Sequence, residues 1–473
     1  MRMPNTNRGR GHWPLPRLAV LGAALLLPLA ACDTERILEV EDPVFASPSS
    51  LENASGVPTL IAGAVGDFQI AYSGAGDDSF LTVTSLITDE LFSSGTFITR
   101  TVTDQRQQQP TAQGNTSDPA FTRLQRARRS LRDAGAAVES FRTDPLVSPT
   151  ATARITELKA LEGFTYVALA EGFCSGIPFS ETERGAPRET GQPLSTEQVF
   201  NEAMQRFDAA LAASAGSNLA KVGRARALLN NGDFQAAAAA VADVPTSFVY
   251  FIEHSPNSGR QYNPIFSLQA NGRYSVSDRE GGNGLPFRSA MDPRVPWIED
   301  PAGGFDKAYR LFINLRYPSF SANVPLADGI EARLIEAEAA LRAGDVGTWL
   351  TRLNDLRANV RSLMTARYED YATFVPGPNN PTSTLAPLTD PGTEQARVDL
   401  MFQERAFWLF NTGHRLGDMR RLIRQYGRPA ESVFPSGEYF KGGNYGPDVN
   451  FPIPFDEANN RNWRPEMCNT TQA

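Results

Sequence analysis

Three cysteines and three histidines in 473 residues leave little material for a metal centre built from those ligands. Basic residues are also in short supply: 45 Lys and Arg face 53 Asp and Glu, giving a formal charge of −8. No Lys/Arg stripe offers the phosphate contacts that dominate nucleic-acid affinity, so no nucleic-acid partner is expected. The longest apolar run, Leu18 to Ala31, falls short of the ~20 residues that a bilayer-spanning helix needs. What the chain does have is length and a globular composition, 41% hydrophobic and 21% charged, sufficient for a large core.

Arg2, Arg8, Arg10 and Arg17 precede that apolar run, which ends in Leu29-Ala30-Ala31-Cys32. A basic start, a short apolar stretch and small residues before a cut describe a secretory signal peptide over residues 1–31. Leu-Ala-Ala-Cys resembles a bacterial lipobox, which would make Cys32 the lipidated first residue of a chain anchored to a membrane and not embedded in it. An ordinary signal peptide with a coincidental Cys is the alternative. Loss of the signal removes four Arg and no acid, so the mature chain is more acidic still. Cys174 and Cys468 remain, and an oxidising compartment suggests a disulfide between them. Two separately buried thiols are the other possibility.

Residues 32–55 are acidic and then Pro- and Ser-containing, which reads as a tether. Helical periodicity dominates afterwards. Asp118-Pro119 reads as an N-cap followed by Pro at the first helical position, with Phe121, Leu124, Leu131, Ala134, Val138 and Phe141 on one face. A second helix is expected over about 153–171, burying Ile155, Leu158, Leu161, Thr165 and Leu169. A third starts at Ser195, where Gln198 completes a capping box. Ala225-Arg-Ala-Leu-Leu-Asn-Asn-Gly232-Asp233-Phe234 aligns with Ala337-Glu-Ala-Ala-Leu-Arg-Ala-Gly344-Asp345-Val346. This internal repeat resembles the helix–turn–helix of a tetratricopeptide repeat. It predicts a mainly α chain of helix pairs, a scaffold over about 56–248 and 324–426. Between the copies, residues 249–323 are rich in Gly, Asn, Ser, Pro and aromatics; a long irregular excursion of this kind is usually functional. Residues 427–473 form a C-terminal segment, and 56–473 read as one domain.

Glu404-Arg405 is followed by Gly413-His414-Arg415, Asp418, Arg420-Arg421 and then Pro452-Ile453-Pro454 with Asn459. This pattern resembles the SusD/RagB family of lipid-anchored nutrient-binding proteins. Gly176-Ile177-Pro178-Phe179, Asp292-Pro293-Arg294, and Arg333 to Arg357 look like further pieces of that family in the right order. The chain departs from it at Asn411-Thr412, where the family often carries Glu. The resemblance implies a SusD-like fold of tetratricopeptide-like helix pairs with an irregular ligand face. It also implies a TonB-dependent outer-membrane transporter of the SusC type as partner, and a hinged lid that captures glycans, or oligopeptides, at the cell surface.

A binding protein of this kind has no catalytic residue, no metal and no cofactor. Aromatic rings would stack on sugar faces while polar side chains bond the hydroxyls. By chain position the candidates are Phe92, Phe97 and Arg100 after the Asp89-Glu90 helix, and Tyr274, Asn283 and Trp297 in the excursion. Glu404, Arg415 and Asp418, on one helix face or its end, are expected to be structural clasps, since buried charges are tolerated only in pairs. The rival functions are a glycoside hydrolase with two carboxylates and a repeat protein that scaffolds an envelope complex.

Overall fold

A computed structural model describes residues 51, 53–74, 76–108, 114–180, 190–376 and 384–473. The expected signal peptide, Cys32 and the expected tether up to residue 50 lie outside the described residues. Sixteen helices are present among those described. They are α1 Val57–Ser73, α2 Phe80–Ile87, α3 Ile98–Asp104, α4 Asp118–Ser140, α5 Ala151–Gly172, α6 Thr196–Ala213, α7 Asn218–Asn230 and α8 Phe234–Val241. There follow α9 Pro264–Ala270, α10 Gly329–Arg342, α11 Val346–Ala358, α12 Val360–Thr365, α13 Tyr371–Phe374, α14 Glu394–Trp408, α15 Arg415–Tyr426 and α16 Ala430–Val433.

The strands are few and short: β1 Leu91–Ser93, β2 Ile177–Pro178, β3 Pro193–Leu194, β4 Val249–Ile252, β5 Tyr274–Val276, β6 Trp297–Asp300, β7 Leu311–Asn314 and β8 Val324–Asp328. They pair only as antiparallel two-stranded ladders, β1–β5, β2–β3, β4–β8 and β6–β7. The fold is mainly α.

Each helix of the scaffold packs on its successors: α1 on α4, α4 on α5, α5 on α6, α6 on α7, α7 on α8, α8 on α10 and α10 on α11. Helix α5 is buried on nearly every side, as a helix enclosed by neighbours must be, and Ile155, Leu158, Leu161, Thr165 and Leu169 all lie inside. Ser195 caps α6 as the sequence predicts: its hydroxyl accepts the Gln198 amide at 3.3 Å while Gln198 Oε1 accepts the Ser195 amide at 2.8 Å. Helix α4 begins differently from expectation. Ser117 occupies the cap position, and Asp118 and Pro119 are already helical. Pro119 still sits where its missing N–H costs nothing, and Asp118 brings a negative charge to the first turn.

The repeat is visible in atomic detail. Gly232 and Gly344 end α7 and α10 in the left-handed conformation, at φ +88° and +78°. In both copies the Gly amide bonds back three residues and the Asp amide five, at 3.1 and 2.9 Å in the first and 3.0 and 2.9 Å in the second. This is the double bond of a Schellman stop, and the αL residue at its heart favours Gly. The next helix starts at once, and Ala237, Val241, Leu353 and Leu356 bury against the preceding one. Strand β4 pairs with β8, Val249 opposite Asp328, so the excursion leaves and rejoins the scaffold at one place and α8 can pack directly on α10.

Charged residues buried along α7, α10, α14 and α15 neutralise one another. Arg405 meets Asp418 at 2.8 Å; Arg421 meets Asp418 at 2.8 Å and Glu338 at 2.9 Å. Arg226 holds Glu331 at 2.6 and 2.8 Å, and Arg415 holds Asp89 at 2.7 and 2.9 Å. Glu404, Arg415 and Asp418 do not share a helix face as expected. A break after Trp408 places Glu404 on α14 and the other two on α15, and Glu404 pairs instead with Arg294 and Arg357. At the far end, Cys174 and Cys468 form a disulfide, with Cα atoms 4.9 Å apart. It fastens the C-terminal segment beside the Phe173–Phe451 bridge that closes on the end of α5.

Candidate functional site

Within the excursion, β5 lies between two partners. It pairs with β1 through the register Phe92 to Ser275, and it touches β7 through the Ser275 hydroxyl, which accepts the Phe312 amide at 2.8 Å. Strand β1 thereby presents Phe92 towards a segment from the far C-terminal region. Residues 437–446 form a hairpin closed by the Tyr439 amide on Gly443 O (2.9 Å) and the Tyr445 amide on Gly437 O (2.9 Å). Phe440 at its tip meets Phe92 edge-on at 5.2 Å and Tyr309 edge-on at 5.2 Å. Between excursion and hairpin lies a cavity of about 450 Å³ lined by Phe92, Tyr309, Phe440 and Tyr445, with Arg288 and Arg310 among its polar groups. Phe440 is 40% exposed, so its ring is available to a ligand.

A second aromatic group adjoins β1. Phe97, half-exposed, has the Arg100 guanidinium over its ring at 4.5 Å and that of Arg273 at 4.7 Å. Arg273 also lies 3.1 Å above the exposed ring of Phe305. Arg100 is itself paired with Asp77. Lys441 links this group to the hairpin: its ammonium donates to Gly95 O at 2.8 Å and sits 5.6 Å from the Phe440 ring. A larger cavity, about 670 Å³, lies elsewhere, between α1, α5 and β4. Its inner polar groups are already paired: Ser73 and Gln69 bond His254 at 3.1 Å each, and Tyr250 donates to Glu157 at 2.9 Å. Burial lowers the His254 pKa to about 4, so the ring is neutral there. We favour the smaller aromatic cavity as the candidate site, because partly exposed rings beside guanidinium groups offer stacking and hydrogen bonding together.

Fifty-two chains of known structure match this one. Surface glycan-binding protein A from Bacteroides uniformis is 13% identical, with 86% of this chain and 98% of that one covered at a TM-score of 0.59. A SusD superfamily protein from Bacteroides thetaiotaomicron is 13% identical, covering 77% and 88% at 0.56. A SusD-like carbohydrate binding protein from Bacteroides vulgatus is 16% identical, covering 78% and 83% at 0.54. The chain has a SusD-like fold. No protein-family model matches the sequence, and no curated protein does.

This SusD-like fold gathers some of the predicted contacts and separates others. Phe92 lines the aromatic cavity, and Phe97 with Arg100 forms the adjoining group. Tyr274 has no exposed surface; it lies 5.9 Å beneath Arg100 and supports that residue, so it offers a ligand no direct contact. Its place on the central strand β5 is the reason. Asn283 is turned away from the aromatic cavity. Its amide donates to Glu431 O and Phe434 O at 3.0 and 2.8 Å, and it borders a separate cavity of about 310 Å³ with Arg415 and Arg428. Trp297, on β6, packs edge-on against Phe312 at 5.5 Å and donates to Arg288 O at 3.3 Å.

Phe440, Tyr445, Arg273 and Phe305 were not singled out by sequence. A signal for the hairpin existed: Gly437-Glu-Tyr-Phe-Lys-Gly442-Gly443 sets two aromatics between glycine turns. Among the described residues, no group of three or more His, Cys, Asp or Glu could hold a metal ion, and no helix is long and apolar enough to cross a membrane.

Proposed function

We propose that the protein captures glycans at the aromatic cavity and does not cleave them. The observation that carries this is the cluster of Phe92, Tyr309 and the part-exposed Phe440, with Arg288 and Arg310 at the same cavity. Ring faces match the apolar faces of sugars, and guanidinium groups donate to their hydroxyls. The glycan-binding and carbohydrate-binding descriptions of the Bacteroides uniformis and Bacteroides vulgatus proteins support the same class of ligand.

Membership of the SusD/RagB family completes the proposal. Cys32 carries the lipid, the chain sits at the outer face of the outer membrane, and it serves as a hinged lid that hands its cargo to a SusC-like TonB-dependent transporter. Native electrophoresis through gels cast with different polysaccharides tests the binding: at least one should retard the protein, while free oligopeptides should not relieve that retardation. Release of reducing sugar from the retarding polysaccharide would instead identify a hydrolase. Lipidation is read by incorporation of labelled palmitate, which Cys32→Ala should abolish. Purification from membranes in mild detergent should bring the transporter with it.

A further inference from the structure

Beside the aromatic cavity stand two enclosed carboxyl groups, neither of which is in a salt bridge among the described residues. Asp104, the last residue of α3, and Glu280, in the turn after β5, are 1% and 8% exposed. Asp104 Oδ2 accepts the Ser93 amide and the Tyr439 hydroxyl, each at 2.8 Å. Glu280 Oε1 accepts the Tyr445 hydroxyl at 2.9 Å, and its Oε2 accepts the Ser277 hydroxyl. Tyr439 and Tyr445, which bond them, meet edge-on with ring centroids 5.1 Å apart, so the two carboxyl groups are held as close neighbours. Asp104 Oδ1 is enclosed and receives a donor from no other group among the described residues. Two carboxylates have only acceptors to offer, so a bond between them needs a proton, and one shared proton supplies the missing donor.

The pair joins four segments: β1 through Ser93, α3 through Asp104, the turn after β5 through Ser277 and Glu280, and the hairpin through Tyr439 and Tyr445. Those tyrosines flank Phe440. The other titratable groups nearby are Lys441 on the hairpin, Tyr274 on β5 and Arg106 just beyond α3. Lys441 is held by Gly95 O, and Arg106 is spent on Asp448 O at 2.8 Å and Pro435 O. Neither makes a salt bridge with the carboxyl groups: Lys441 favours the Asp104 carboxylate from a distance, but a second negative charge has no cation in direct contact among the described residues. Burial raises the proton affinity of both groups above the ordinary carboxylate range.

We propose, building on the assignment of the aromatic cavity as the glycan site, that Asp104 and Glu280 form a proton-dependent latch that holds the hairpin tip, and Phe440 with it, against the cavity. With one shared proton the pair carries a single charge and four segments converge on it. Without the proton two like charges face each other in an enclosed space, and the hairpin tip is the element that yields. A carboxyl group that binds its proton more tightly in the folded state loses that advantage as pH rises, so the tip is locked while the pair keeps its shared proton and released as pH climbs above the ordinary carboxylate range.

The latch can be read without a ligand. Trypsin cuts after Lys441 only when the tip is free, and its fragments separate after the disulfide is reduced. Relative to an unstructured control peptide, cleavage there in the wild-type protein should rise roughly tenfold or more between about pH 5 and about pH 9.5. Glu280→Gln keeps a donor towards Asp104 but cannot ionise, so its cleavage should stay flat over that range. Asp104→Asn provides the same comparison should the first variant misfold. A flat wild-type profile, or variants that follow the wild type, would overturn the latch. A second arm uses the most retarding polysaccharide of the panel: wild-type retardation should fall at the alkaline end and that of Glu280→Gln should not. If no polysaccharide retards the protein, the glycan assignment fails while the trypsin arm still decides the latch.

Discussion

Arg294 and Glu404 face each other in a two-pronged pair, Nη1 to Oε2 at 2.7 Å and Nη2 to Oε1 at 3.1 Å. Both side chains are sealed from water. Arg294 belongs to the excursion and Glu404 to α14, while Arg357 at the end of α11 reaches the same carboxylate at 2.6 Å. One carboxylate therefore binds the excursion to two scaffold helices.

Removing Glu404 leaves guanidinium groups buried beside it without their partner. Glu404→Ala should cost about 3–5 kcal/mol, the usual penalty for breaking a buried pair from one side. Urea denaturation measures this, and a loss below about 1 kcal/mol would mean that Asp292, which Arg294 also bonds at 2.7 Å, alone suffices for it.

Acid should weaken the clasp between α7 and α10. Burial by itself would raise the Glu331 pKa, but the Arg226 guanidinium and then His414 overcome it and hold the group down to about 2. A carboxylate depressed in the folded state stabilises above its unfolded pKa of about 4.3, and that stability is lost as pH falls towards 2. The effect is worth roughly 3 kcal/mol at neutral pH. Urea midpoints between about pH 6 and about pH 3 should drop more steeply for the wild type than for Glu331→Gln. Parallel profiles would remove Glu331 from the acid response.

The disulfide between Cys174 and Cys468 spans 294 residues. Closing so long a loop restricts the unfolded chain, so Cys468→Ser should lower stability by about 2–5 kcal/mol. The same shift should appear in the wild type on reduction and not in the variant. Equal denaturation midpoints with and without reductant would show that the C-terminal segment holds without the bond.

Phe440 offers its ring to the cavity and little to the core. Phe440→Ala should weaken polysaccharide retardation about tenfold while leaving the melting temperature within about 2 °C of the wild type, because truncation of a surface contact residue costs binding and not packing. Retention that is unchanged would move the site away from the hairpin.

Local rules alone made much of the scaffold legible. The Ser195–Gln198 box, the paired Gly-Asp stops after α7 and α10, and the periodic Ile155-to-Leu169 face all depend on neighbours within a turn or two of helix, and a linear chain displays those directly. The motif at 404–421 was legible as residue types but not as geometry: spacing suggested one helix face, whereas the break after Trp408 sends Glu404 to Arg294 and Arg357. Chain position alone points to Tyr274 and Asn283, yet strand pairing with β1 encloses the first and a pair of distant carbonyls claims the second. Above all, the cavity exists because a hairpin at 437–446 folds back on Phe92 and Tyr309. Contacts between segments so far apart depend on how every intervening helix packs, and no local pattern encodes their approach. By itself, then, the sequence determined the helix pairs, their stops and the class of fold. Tertiary packing decided which aromatic rings meet, and which carboxyl groups must share a proton where they do.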